Sequence, residues 1–310
     1  MMGNVRTLTA TFVARHHTAI ASAMHSRLPR WGAHGWRVVG DPSKLRIEVV
    51  VPTTVQRPRH PVEPFKVASR WIKPRVSSSG VGLRRWRRAD GSTQMATQQS
   101  HAVAPGARVR VGRGQLQEFV GIAAVLRLAE GLAILTCGHA SAFSFSQEIL
   151  AGDEPDGAAI ATLSANLLEL ASPIDAAICV LTDAGIALLA DSLAAPTWRY
   201  KTVKTPAATD NQERAVFWQS HDGDDSAPTA PVLTYSGVTS ALFGARGPST
   251  GFIETSHLVV PGDSGSLLSL DAALYGICSG YVGHTAFFTP IATALRSLKR
   301  QGKKCSIYTP

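Results

Sequence analysis

Pro261-Gly262-Asp263-Ser264-Gly265-Ser266 is the stretch on which the reading of this chain turns. Two glycines flank a serine, which permits a tight turn with backbone N–H groups aimed at one spot. A serine hydroxyl is a poor nucleophile unless a base takes its proton, so the stretch needs a partner elsewhere in the chain. Acyl transfer also needs donors where negative charge develops, and the N–H groups of Gly262 and Ser264 can supply them. Taken alone, the hexapeptide reads equally well as a turn between strands.

Upstream, the base is expected to be a histidine oriented by a carboxylate. His139 sits in Leu135-Thr136-Cys137-Gly138-His139-Ala140, just after an apolar, strand-like run, and Asp175 sits in Pro173-Ile174-Asp175-Ala176-Ala177, just before another. An aspartate leading into an apolar strand becomes partly buried, and a buried carboxylate calls for a donor such as an imidazole N–H.

The surroundings read as short strands. Phe119–Leu128 and Leu132–Cys137 flank Glu130-Gly131 in a hairpin pattern. Ala158–Leu163, Leu167–Leu170, Ala176–Leu181, Ala215–Trp218, Val232–Val238, Leu267–Leu270 and Leu274–Cys278 continue the series. One helix closes the chain, with Thr289 as its expected cap, Pro290 as its first residue, and Ile291, Ala294, Leu295 and Leu298 on one face. Many short strands with a single terminal helix argue for an all-β body.

The order His139, Asp175, Ser264, with all three local sequences, resembles the chymotrypsin-like (trypsin-like) serine peptidases over about residues 107–300. That resemblance implies two six-stranded antiparallel β-barrels and a short C-terminal helix, in the compact form of bacterial and viral members. It implies His139, Asp175 and Ser264 as the catalytic residues and the Gly262 and Ser264 N–H groups as the oxyanion hole. No metal or organic cofactor is implied, and the substrate is a protein or peptide. Gly276-Ile277-Cys278-Ser279-Gly280 is similar to the strand lining the family's cleft. The Ser279 hydroxyl is then expected on the Asp175 carboxylate, with Ser279, Gly280 and Tyr281 offering backbone groups to an extended peptide. Leu258 stands where members that cleave after Lys or Arg carry an aspartate, Cys278 where members preferring Glu or Gln carry a histidine, and Tyr281 where a glycine keeps deep pockets open. A shallow pocket for small or medium apolar side chains follows. The chain departs from animal members in having Ala140 beside the histidine, no matching cysteine pairs, and Gly280 at a usually aromatic position. An α/β-hydrolase does not fit, because Gly265 directly follows Ser264 and only His284 lies downstream.

The front third differs in character. Residues 1–104 hold 17 Lys+Arg against 4 Asp+Glu, whereas the remainder holds 14 against 18, within a formal net charge of +9. Residues 1–52 form a small basic unit with α/β character: an amphipathic stretch from Phe12 to Leu28, then strands Trp36–Val39 and Leu45–Val51 around Gly40-Asp41-Pro42-Ser43. Residues 53–106 read as a Pro/Ser-rich basic linker, and residues 107–310 as the peptidase domain. The basic excess suits an acidic or nucleic-acid partner for residues 1–106. Because every triad position lies beyond them, residues 1–106 are expected to be dispensable for turnover of a short peptide. The rival reading is a catalytically silent trypsin-like scaffold whose basic region binds nucleic acid or an acidic partner.

No apolar run is long enough for a spanning helix; the best, Ile174 to Pro196, is broken by Asp175, Asp183 and Asp191. Cys137, Cys179, Cys278 and Cys305 are too scattered for a structural zinc site and are expected to be free thiols. With no secretory signal visible, an intracellular location is expected, although five Arg and no Asp or Glu in residues 1–40 also match an organelle transit peptide. His221-Asp222-Gly223-Asp224-Asp225 reads as an exposed acidic turn, and Arg84-Arg85-Trp86-Arg87-Arg88 as a solvated linker or processing site.

Overall fold

The computed structural model describes residues 8–33, 35–41, 43–51, 58, 60–77, 102–113, 117–140, 143, 146–151, 157–170, 174–204, 216–217, 232–233, 237–238, 249–250, 252–255, 259, 262–270, 273–282 and 285–310. The motifs Arg84–Arg88 and His221–Asp225 lie outside this set, as does Leu258.

Near the N-terminus, helix Ala10–His25 starts where the Thr9 hydroxyl accepts the Phe12 N–H at 3.3 Å. It buries Phe12, Val13, Ile20, Ala21 and Met24, a helical spacing. The hairpin Gly35–Asp41/Lys44–Val50 follows, pairing Trp36 with Val49 and Val38 with Ile47. All four side chains are buried in one cluster with the helix. The segment read from sequence as linker is folded in part. Strands Phe65–Val67 and Arg70–Ile72 form a second hairpin, and Arg75–Ser77 runs parallel to Lys44–Val50. The cause is apolar: Phe65, Val67 and Ile72 join the same buried cluster, despite the prolines around them.

The body is mostly β. Its first sheet has eight strands in the order Cys305–Ile307, Ala124–Leu128, Gly131–Thr136, Ala177–Leu181, Ala159–Asn166, Glu148–Leu150, Arg108–Val111, Glu118–Gly121. Its second runs Val216–Phe217, Leu267–Leu270, Ala273–Val282, Thr285–Pro290, Ile253–Thr255, Val232–Leu233, with Thr202–Val203 beside Ala273–Val282. Both are open paths, not the closed six-stranded rings that the resemblance implied. The expected strand Phe119–Leu128 changes partner midway. Ile122 N–H bonds the Ala107 carbonyl at 2.8 Å, while Ala123 N–H bonds the Leu135 carbonyl at 2.8 Å, so the run splits in two. A single buried cluster joins residues of both sheets with Ile291, Ala294 and Leu298.

The helices differ from expectation in three places. Asp183–Asp191 is a helix whose cap, Thr182, accepts the Gly185 N–H at 3.2 Å and donates to the Ala159 carbonyl at 2.7 Å. Leu167–Glu169 is a short 3₁₀ turn, not a strand, because Asn166 Oδ1 accepts the Leu168 N–H and curls the chain. In the terminal helix, Ile291–Arg300, Pro290 occupies the N-cap position. The Thr289 hydroxyl, expected to cap it, is bonded to Ser279 Oγ at 2.8 Å.

The two parts of the chain meet in a sheet. Gly237–Val238 pairs with Gly35 and Trp36 on one side and with Ser249–Thr250 on the other. Val232–Leu233 and Ile253–Thr255 root this ribbon in the second sheet.

Candidate active site

His139 and Asp175 come from the first sheet and Ser264 from the second, and the fold brings them together. His139 Nε2 lies 2.9 Å from Ser264 Oγ, and its Nδ1 lies 2.9 Å and 3.0 Å from the two carboxylate oxygens of Asp175. Asp175 is fully buried and its Oδ1 also accepts the backbone N–H groups of Gly138 at 2.9 Å and His139 at 3.0 Å. These donors compensate a charge that burial alone would disfavour. Pairing of Ala177 with Thr136 sets the two chain segments side by side, one residue short of the loops that carry the site.

Behind the histidine, Asn166 Nδ2 donates to the Gly138 carbonyl at 3.0 Å. Beside the serine, Gly121 N–H bonds the Ser264 carbonyl at 2.7 Å, and the Thr136 hydroxyl donates to the Gly121 carbonyl at 2.7 Å. Gly265 N–H bonds the Cys278 carbonyl at 2.8 Å. The Ser264 turn is thus held from both sheets. Its glycines are required: Gly262 and Gly265 have φ of +100° and +86°, and a Cβ on Gly265 would stand 2.3 Å from Thr136 Oγ1.

Burial pushes the His139 pKa down, but the charge and hydrogen bond of Asp175 raise it, helped by Glu118, and the net position is above the ordinary 6.5. Burial, with the nearby Asp175 carboxylate, drives the Cys137 thiol well up, and burial with Asp263 does the same to Cys278. Burial also raises Cys179. These thiols stay protonated and act as small core residues, and all four cysteines are free.

Not every expected contact is made. Ser279 is buried, yet its hydroxyl meets Thr289 Oγ1 at 2.8 Å and not the Asp175 carboxylate. The register of Ala273–Val282 shifts between Cys278 and Gly280, which turns the serine toward the neighbouring strand. Gly280 and Tyr281 lie in that strand opposite Phe287 and Ala286. Thr136, Gly121 and Asn166 support the site but were not foreseen. Thr136, a polar residue ending an apolar strand, is the one with a visible sequence signal. Among the described residues there is no cluster of His, Cys, Asp and Glu fit to hold a metal ion.

No protein-family model and no curated protein matches this chain. Solved structures of similar fold are chymotrypsin-like serine proteases of bacteria and viruses. Protease A of Thermobifida fusca is 16% identical and matches 67% of this chain and 100% of its own, with a TM-score of 0.43. A chymotrypsin of Cellulomonas bogoriensis is 20% identical over 67% and 100%, at 0.45. The serine protease domain of the Sesbania mosaic virus polyprotein is 13% identical over 63% and 92%, at 0.36.

Proposed function

We propose that this chain is a serine endopeptidase that hydrolyses peptide bonds through an acyl-enzyme. The observation that carries the reading is the unbroken hydrogen-bonded line from buried Asp175 through His139 to Ser264 Oγ. Asp175 holds the imidazole with Nδ1 protonated, leaving Nε2 free to accept a proton. Ser264 Oγ attacks the scissile carbonyl carbon as its proton passes to His139 Nε2. The carbonyl electron pair moves onto oxygen, where the Gly262 and Ser264 N–H groups stabilise it. The tetrahedral adduct collapses, the C–N bond breaks, and His139 delivers its proton to the leaving amine. Water, deprotonated by His139, then hydrolyses the acyl ester and restores the serine.

The acyl half of the substrate lies along residues 279–281, and the side chain just before the scissile bond is small or medium and apolar. Burial of such a group contributes about 1.5–3 kcal/mol.

A fluorophosphonate probe tests the reading, because only an activated serine reacts with it. The full chain is expected to gain one adduct, mapped to Ser264 by peptide mass spectrometry and lost in His139→Ala. A folded protein that takes no label, or labels equally well in His139→Ala, is the outcome that sinks it and favours the silent-scaffold reading.

A further inference from the structure

Arg108 and Phe119 lie on paired strands of the first sheet, where Arg108 faces Gly121 and Arg110 faces Phe119. The Arg108 guanidinium carbon stands 3.8 Å from the centre of the Phe119 ring. Stacking fixes the plane of the cation, and both residues remain partly exposed. One terminal nitrogen, Nη2, comes within 3.7 Å of where a Cβ would stand on Gly262. The cation therefore abuts the bare backbone of the turn that carries Ser264.

Proton delivery decides which half of a substrate meets it. His139 belongs to the first sheet, and the leaving amine must lie beside its Nε2 to receive the proton. The acyl half lies across Ser264, against residues 279–281 of the second sheet. The leaving half therefore runs over the first-sheet side of the nucleophile. That side is held by Gly121, whose N–H bonds the Ser264 carbonyl at 2.7 Å, and Phe119 and Arg108 come next to it.

Resting on the peptidase reading, we infer that Arg108, stacked on Phe119, makes the leaving-group side of the cleft a carboxylate-binding subsite. The chain then prefers substrates with Asp or Glu in the first two positions after the scissile bond. A guanidinium presents a planar fork of donors that matches a carboxylate bidentately, and its stacked plane reduces the ordering cost of forming that pair. Glu118 lies near enough to raise the pKa of His139, but it is the Arg108 cation that borders the turn.

The experiment uses the full chain and quenched fluorescent peptides that share one acyl half. The leaving half carries Asp, Ala or Lys at its first or second position with an amidated end. A further pair compares amidated and free-carboxylate dipeptide leaving groups, to separate side-chain from chain-end recognition. The wild type should cleave the Asp peptides with kcat/KM about tenfold above the Ala peptides, the advantage falling as salt is raised. Arg108→Gln should bring that ratio to about one, Arg108→Lys should keep part of it, and Arg108→Glu should shift it toward Lys. The readout is the ratio between peptides, so a general loss of activity does not imitate the effect. Fluorophosphonate labelling in the same samples separates two failures. Labelling with no acidic preference, or Arg108→Gln lowering every peptide equally, overturns the subsite and leaves the peptidase reading standing. Neither labelling nor cleavage overturns both.

Discussion

At the scale of single residues, the catalytic proposal rests on one imidazole held between a buried carboxylate and a hydroxyl. Ser264→Ala removes an oxygen that the fold does not need; it should abolish probe labelling and peptide cleavage and leave the melting temperature within about 2 °C of the wild type, by calorimetry. The pH behaviour follows from Asp175. Because the folded-state pKa of His139 is raised, the stability contributed by the protonated pair is fully present below the ordinary 6.5 and is lost as pH rises through the raised value. Activity runs the other way, since only the neutral imidazole is a base. The acid limb of kcat/KM on an uncharged peptide should have its midpoint above 6.5, and a midpoint below it would contradict the coupling to Asp175. Thr136→Val keeps the shape of the side chain but leaves the Gly121 carbonyl without its hydroxyl donor. A loss of about 1–3 kcal/mol in urea unfolding is expected.

At the scale of elements, the terminal helix holds the two sheets against one core. Ile291, Ala294 and Leu298 are fully buried at positions one turn apart, and the strand Cys305–Ile307 then returns to pair with Ala124–Leu128 of the first sheet. The helix therefore fixes how the sheet carrying His139 meets the sheet carrying Ser264. Leu298→Ala should cost about 2–5 kcal/mol in chemical denaturation. Its effect on kcat/KM, measured well below the unfolding transition, should exceed that of an exposed substitution on the same helix such as Arg300→Ala. Equal effects would show that the helix stabilises the body without setting the geometry between its sheets.

At the scale of the whole molecule, the front third is joined to the body by strand pairing. The ribbon that contributes Gly237–Val238 to the N-terminal sheet returns through Ile253–Thr255, a few residues before Leu258 and the Ser264 turn. Removing residues 1–77 takes away the strand that pairs with Gly237–Val238 and leaves an unpaired edge. Two lost register pairs correspond to about 1–3 kcal/mol, or a fall of about 2–6 °C in melting temperature. Calorimetry of the shortened chain checks the fall, and sedimentation velocity should show more self-association. Short-peptide turnover should persist, since the triad and the Gly262 turn lie wholly in residues 107–310.

How far the chain could be read before folding depended on the range of the forces involved. Local pattern was enough for the hairpin around residues 40–43, for the Gly-flanked Ser264 turn, for the strand that follows Asp175, and for the apolar face of the terminal helix. Each follows from periodicity or from φ values that only glycine adopts easily. The proline-rich stretch from 53 to 106 misled, because Phe65, Val67 and Ile72 find their burial partners on a helix some forty residues upstream. Ser279 misled for a similar reason: a register shift, invisible in sequence, turned its hydroxyl to Thr289. Sequence by itself determined which residues could perform the chemistry, since nucleophile, base and carboxylate are chemical types with local settings. Only the tertiary structure decided which atoms meet, because the 2.9 Å contact between His139 and Ser264 and the placing of Arg108 beside Gly262 depend on how two sheets pack. That packing is a sum of many long-range apolar contacts, none of them written in any short stretch of the chain.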